Sequence, residues 1–134
     1  MKLLIVEDSR LVRERLAAVF AAVPTLEIAA AADAASAVAR FREWRPDLAI
    51  LDIQLPDGNG IDVLKTIKRE RPATLVLMFS NHVPCQRQCR KEGADWFFDK
   101  ASDFEALART VKTLAEGTST GTSITGEPSC QTGP

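Results

Sequence analysis

The chain has 134 residues, 46% of them hydrophobic and 26% charged, with a formal net charge of −1. That is the size of one domain and ample material for one core. The near-neutral balance supplies no global pull toward nucleic acid or anionic lipid, so no direct nucleic-acid binding and no membrane attachment are expected.

In chain order, short apolar runs alternate with helical patterns. Residues 2–7 read as a strand: Leu3-Leu4-Ile5-Val6 is apolar without interruption and ends in Glu7-Asp8. Asp8 or Ser9 can cap a helix with Val12, Leu16, Val19, Phe20 and Val23 on one face, closed by Pro24. Residues 26–30 form a weak second strand, and Asp33 can cap a helix carrying Ala34, Val38 and Phe41. The third strand, residues 47–52, contains Leu48-Ala49-Ile50-Leu51 and ends in Asp52. Residues 55–60 are a turn cluster, and a third helix runs over 61–71, stopped by Pro72.

A fourth strand is expected at 74–80, then a helix over about 84–92 with Gly93 as its C-terminal cap. The fifth strand covers 95–99. Ser102-Asp103-Phe104-Glu105 reads as a capping box before a helix with Phe104, Leu107, Ala108, Val111, Leu114 and Ala115 on one stripe. Residues 117–134 are mostly Gly, Ser, Thr and Pro, with one charge and one large aliphatic residue, Ile124. A segment of that composition is expected to be a disordered tail, so the folded domain is expected over 1–116.

Five strands alternating with five helices imply an α/β, flavodoxin-like doubly wound parallel sheet. Strand order 2-1-3-4-5 makes the first and third strands neighbours at the switch point, where ligands sit beyond the carboxyl ends. Those two strands end in Glu7-Asp8 and Asp52. Three crowded carboxylates repel one another, and a divalent cation with oxygen ligands is the natural counterion. Ser80 ends the fourth strand and Lys100 follows the fifth. A hard cation, a carboxylate nucleophile, a hydroxyl and an ammonium on one rim suit phosphoryl transfer, and an aspartate can form an acyl phosphate.

The sequences Ile5-Val6-Glu7-Asp8, Leu51-Asp52-Ile53-Gln54-Leu55-Pro56-Asp57-Gly58-Asn59-Gly60, Phe79-Ser80 and Phe97-Phe98-Asp99-Lys100 resemble, in order and spacing, the receiver domains of two-component response regulators. The resemblance covers residues 2 to about 116. It implies that Asp52 is the phosphoacceptor. Asp8, Asp52 and the backbone carbonyl of Gln54 would be Mg²⁺ ligands, with Glu7 acting through water. Lys100 would pair with Asp52 and then with the phosphoryl oxygens. Ser80 would bond the phosphoryl group and draw in the following loop, and Phe97 would be the aromatic switch. A sensor histidine kinase or phosphotransfer protein would supply the phosphoryl group. Ser80 and Phe97 would report it to a downstream partner, or a second copy, on the face of the fourth helix, fifth strand and fifth helix. Such a chain is a signalling protein and not an enzyme on other substrates.

The chain departs from the family pattern at Ala101, where proline is frequent, and at Phe97, where tyrosine would carry a hydroxyl. Asn81 and His82 are larger than the residues common after Ser80, and are expected to shield the acyl phosphate. Three other readings stand beside the first. The chain would be a receiver piece of a longer regulator if its Gly/Ser/Thr/Pro segment is a linker. An aspartyl-phosphate phosphatase would need an acid or base two residues after the nucleophile, where neutral Gln54 stands. A flavin protein would need a phosphate loop where Glu7-Asp8-Ser9-Arg10 is acidic.

The opening apolar segment is too short for a signal peptide and no run is long enough to span a membrane, so a cytoplasmic location is expected. Cys85, Cys89 and Cys130 are an odd count at no framework spacing, against structural disulfides. His82, Cys85 and Cys89 match no zinc spacing, and Cys85 and Cys89 are expected to be semi-buried helix residues. Arg87, Arg90 and Lys91 are expected to be a solvated face.

Overall fold

Residues 1–116 are described by a computed structural model. The tail expected at 117–134, and Cys130 with it, lies outside the described residues. The elements are β1 (Lys2–Val6), α1 (Arg10–Ala21), β2 (Glu27–Ala31), α2 (Ala34–Trp44), β3 (Leu48–Leu51), β4 (Gln54–Leu55), β5 (Gly58–Asn59), α3 (Gly60–Glu70), β6 (Leu75–Ser80), α4 (Gln86–Lys91), β7 (Trp96–Asp99) and α5 (Phe104–Glu116). The main sheet is parallel with order β2-β1-β3-β6-β7. With the small β4–β5 hairpin set aside, this is the expected 2-1-3-4-5 order. No helix among the described residues is long and apolar enough to cross a membrane.

The uninterrupted apolar runs form central strands because both faces of the sheet are covered. Side chains alternate between two cores. Leu3 and Ile5 of β1 join Leu16 and Phe20 of α1 and Leu107 and Val111 of α5. Leu4 and Val6 join Phe41 of α2, Leu64 and Ile67 of α3, and Cys89 of α4. Each such fully buried aliphatic or aromatic side chain contributes about 1.5–3 kcal/mol relative to exposure.

Local chemistry sets the helix ends. The Ser9 hydroxyl accepts from the Val12 N–H at 3.3 Å, and Asp33 Oδ1 from the Ser36 N–H at 2.7 Å. Asn59 Oδ1 accepts from the Ile61 N–H at 2.7 Å, so α3 has its own cap. Gly93, at φ +105°, ends α4 as expected. Its N–H meets the Arg90 carbonyl and the Ala94 N–H the Cys89 carbonyl, both at 3.0 Å, a Schellman closure.

Three local expectations are corrected. Residues 84–92 are not one helix: Val83–Cys85 is a 3₁₀ turn, and α4 covers only Gln86–Lys91. Pro84 has no N–H, and the Cys85 N–H closes on the His82 carbonyl at 2.9 Å, which tightens the chain before the α-helix starts. The cluster at 55–60 is a hairpin with Gln54 opposite Asn59 and Leu55 opposite Gly58. The capping box is displaced. Phe104 is the first residue of α5, and Asp103 precedes it. The Asp103 carboxylate is drawn back to the Asp99 N–H at 2.8 Å, because the last strand amide needs an acceptor.

Candidate functional site

Four strands of the sheet end on one rim. The backbone ladder runs one residue past them: Glu7 N–H to the Ala31 carbonyl at 3.0 Å, Asp52 N–H to Val6 at 3.1 Å and Lys100 N–H to Ser80 at 3.1 Å. Glu7, Asp52 and Lys100 are therefore placed by sheet hydrogen bonds and not by a free loop. Together they line a cavity of about 350 Å³ with Glu7, Asp8, Ser9, Val12, Asp52, Gln54, Asn81, His82 and Lys100 on its walls.

Lys100 is its electrostatic centre. Its Nζ donates to Asp52 Oδ2 and to Glu7 Oε1, both at 2.8 Å. Asp52 Oδ1 accepts from the Ile53 N–H at 2.7 Å, and Glu7 Oε2 from the Ser9 N–H at 3.0 Å. Glu7 and Asp52 are buried while Asp8 is exposed. Burial pushes the Glu7 carboxyl above its ordinary value, against the hydrogen bonds from Lys100 and Ser9. Burial also opposes the charge on Lys100, but its bonds to Asp52 and Glu7 outweigh that and hold its ammonium above its usual range.

Glu7, Asp8 and Asp52 each bring a carboxylate oxygen within 4.8 Å of the others, and they are the sole such ligand group of three among the described residues. One lysine faces three carboxylates, so net negative charge remains. An all-oxygen, carboxylate-rich set fits a hard divalent cation such as Mg²⁺. His82, Cys85 and Cys89 do not gather as a ligand group among the described residues. Cys89 is a core residue whose thiol burial pushes up to about 11.

Two expected site residues stand apart from the cavity. Ser80 is fully buried, and its hydroxyl accepts from the His82 N–H at 3.1 Å. Phe97 is buried in the α2–α3–α4 core and borders a separate groove of about 180 Å³ with Val83, Gln86, Asp99, Ser102 and Asp103. Arg87 and Lys91 are exposed and Arg90 is half-buried; none of the three has an ion pair among the described residues.

Four contacts are not among those expected from the sequence. Lys100 bridges Glu7 as well as Asp52. Arg13 donates to the Glu7 and Asp8 carbonyls at 2.9 and 3.1 Å, one turn beyond the Ser9 cap. His82 Nε2 lies 2.9 Å from Gln54 Oε1 across the cavity mouth. Asp57 accepts from the Ala34 and Ala35 N–H groups at 2.6 and 3.0 Å. Of these, only the Arg13 contact was accessible from spacing, since it follows from a helix begun at Ser9.

The family model of the response regulator receiver domain matches residues 3–112. The chain belongs to that family. This receiver domain is 32% identical over 122 residues to the DNA-binding transcriptional activator DevR/DosR of Mycobacterium tuberculosis, covering 89% of the chain and 56% of that protein. It is 36% identical over 80 residues to a protein-glutamate methylesterase/protein-glutamine glutaminase of Vibrio cholerae, covering 60% of the chain and 22% of the relative. The chain thus spans between about a fifth and just over half of these relatives. Among solved structures, the response regulator domain of Thermotoga maritima CheB superposes with a TM-score of 0.76 at 27% identity, over 86% of this chain and 92% of that one. CheY in a CheX–CheY–BeF₃–Mg²⁺ complex from Borrelia burgdorferi gives 0.77 at 27% identity, over 85% and 88%. The protein is a two-component signalling component, and receiver domains bind Mg²⁺ at an acidic pocket of this kind.

Proposed function

We propose that the receiver domain accepts a phosphoryl group on Asp52, from a sensor histidine kinase or a phosphotransfer protein, in a reaction that requires Mg²⁺. One observation carries the reading: Asp52 Oδ2 is held 2.8 Å from Lys100 Nζ, at the end of β3, with Glu7 and Asp8 carboxylates within 4.8 Å. A carboxylate oxygen of Asp52 attacks phosphorus and the P–N bond to the donor imidazole breaks, leaving an acyl phosphate on the protein. Asp8, Asp52 and the Gln54 carbonyl would hold the Mg²⁺, with Glu7 linked through water. Bound there, the cation supplies positive charge against the phosphoryl oxygens.

Lys100 then exchanges its contact with Asp52 for the phosphoryl group. The Ser80 hydroxyl, which now serves the His82 amide, turns to donate to a phosphoryl oxygen and draws the 81–85 segment inward. Phe97 follows into the space this opens beside α4. Output runs to a downstream protein, or a second copy, on the α4–β7–α5 face. The domain binds no nucleic acid itself and turns over no external substrate. The share of the curated relatives that it spans favours a receiver segment working with an output partner or domain.

The test is labelling by a small phosphodonor such as acetyl phosphate, read by intact mass. Wild-type protein gains one phosphoryl group with Mg²⁺ and none in EDTA. Asp52→Asn gains none, and Asp8→Ala weakens Mg²⁺ binding and labelling together. Equal labelling of Asp52→Asn, or full labelling in EDTA, overturns the assignment.

A further inference from the structure

We propose that Asp57 is a positioning residue: its carboxylate ties the tip of the β4–β5 hairpin to helix α2 and so fixes the Gln54 peptide beside Asp8 and Asp52. The inference rests on the metal-site reading above and concerns what holds that site in shape.

Gln54 lines the cavity, yet it sits in a strand only two residues long. A hairpin of that size is marginal on its own. Its base is secured where the Gly60 N–H meets the Ile53 carbonyl at 2.6 Å. Its tip is the pair Pro56-Asp57, between Leu55 and Gly58. Asp57 Oδ1 accepts from the Ala34 N–H at 2.6 Å and Oδ2 from the Ala35 N–H at 3.0 Å. Gln54 therefore lies between two tied points.

Helix α2 does not depend on this tie. It has a cap of its own, Asp33, which takes the Ser36 N–H. The Ala34 and Ala35 bonds to Asp57 are exposed, so water can serve those donors if the carboxylate is removed. Leu55 anchors the hairpin in the core, and among the described residues Asp57 alone ties its tip to α2 by side-chain hydrogen bonds. Without Asp57 that tie is lost, and the Gln54 peptide gains motion that a site for a small hard cation would tolerate poorly. The carboxyl is held below the usual carboxylate range by the two backbone donors, so it is an anion at neutral pH.

The full 134-residue chain serves for the experiment, with Mg²⁺ titrated against backbone amide resonances and amide exchange followed at Ala34, Ala35 and Gln54. Asp57→Ala should weaken Mg²⁺ binding about tenfold, the lower end for residues that orient metal ligands. Asp57→Asn, which keeps one acceptor oxygen, should fall between it and wild type. Asp33→Ala removes the cap that belongs to α2 and leaves the hairpin tie, so it should bind Mg²⁺ as wild type does. Exchange at Gln54 should rise in Asp57→Ala and not in Asp33→Ala. Mg²⁺ affinity within twofold of wild type for Asp57→Ala, or an equal loss in Asp33→Ala, reduces Asp57 to a helix cap and overturns the proposal. If wild-type protein itself fails to bind Mg²⁺ at these carboxylates, the metal-site reading falls and this inference with it.

Discussion

Replacing Gly60 by alanine should disturb Asp52 through the backbone alone. A Cβ on Gly60 would overlap the Asp52 carbonyl oxygen outright, and would stand 2.8 Å from the Asp52 carbonyl carbon and 2.9 Å from the Ile53 Cα. All three are main-chain atoms, so no side chain can swing away. The start of α3 and the end of β3 must part by on the order of 1 Å, which for packed interiors costs about 1–3 kcal/mol. The 2.6 Å bond from the Gly60 N–H to the Ile53 carbonyl is lost with it, a further contribution of about 1 kcal/mol. The expected destabilisation is about 2–4 kcal/mol, a large part of the ~5–15 kcal/mol that holds a domain folded. A displacement of that size also separates Asp52 from Lys100, and misplacement by about 1 Å slows a reaction by roughly a hundredfold. Urea denaturation gives the first quantity, and the initial rate of acetyl phosphate labelling gives the second. Gly58→Ala is the control, because its Cβ would meet Ala34 Cβ at an ordinary 3.5 Å. If Gly60→Ala keeps both the wild-type denaturation midpoint and the wild-type labelling rate, the close approach does not govern the site.

Asp57 should contribute to acid stability with a defined sign. Its folded-state pKa lies below the ordinary 3.8, chiefly through the Ala34 and Ala35 N–H groups. The stabilisation is present above 3.8 and lost as pH falls through the lower folded value. Urea midpoints of wild type and Asp57→Asn should therefore differ at neutral pH and converge in acid; a constant gap would exclude the linkage. Asn81→Ala should speed loss of the acyl phosphate, since Asn81 and His82 line the cavity mouth. Mass spectra taken after removal of the phosphodonor follow that decay, and an unchanged or slower rate would count against shielding. Ending the chain after Glu116, the last residue of α5, should leave circular dichroism, thermal midpoint and labelling as they are; a loss of any would give residues 117–134 a structural part.

Strand identity and order were legible because the decisive signal is local. Runs such as Leu48-Ala49-Ile50-Leu51 can be buried only between two helical layers, and each ends in a chemically marked residue. Glu7, Asp8, Asp52 and Lys100 could thus be assembled on one rim from the sequence alone. What escaped depends on competition between distant groups. Asp103 was expected beside a Ser102 cap, yet the Asp99 amide claims its carboxylate. Asp57 reads as an ordinary turn residue in Pro-Asp-Gly, and nothing near it in sequence reveals that its partners are Ala34 and Ala35. The side-chain contact between Gln54 and His82 likewise joins residues 28 apart. Ser80 was placed on the correct strand, but the direction of its hydroxyl is set by the His82 amide, a contact that strand periodicity does not encode.

The two cores on opposite faces of the sheet also divide the molecule mechanically. Helices α1 and α5 and the side chains of Phe79 and Phe98 belong to one core, whereas Phe97 and Cys89 belong to the other. Helix α4 is six residues long and has a single buried side chain, Cys89. On the proposed reading, α4 would shift with Phe97 while the α1–α5 layer stays still, that layer serving as a fixed frame and α4 as the moving part. Local opening of such a lightly anchored segment costs far less than global unfolding. Inverting a two-state balance from 1:99 to 99:1 takes about 5.5 kcal/mol of differential binding. Hydrogen bonds to a charged group contribute about 1.5–3 kcal/mol each. On the proposed reading, the phosphoryl group gains one new bond of this kind, from Ser80, while the Lys100 bond replaces the one it already makes to Asp52. One covalent event at the rim would then supply part of that difference, and a partner that prefers the shifted α4 the rest, with the remainder of the fold as its anvil.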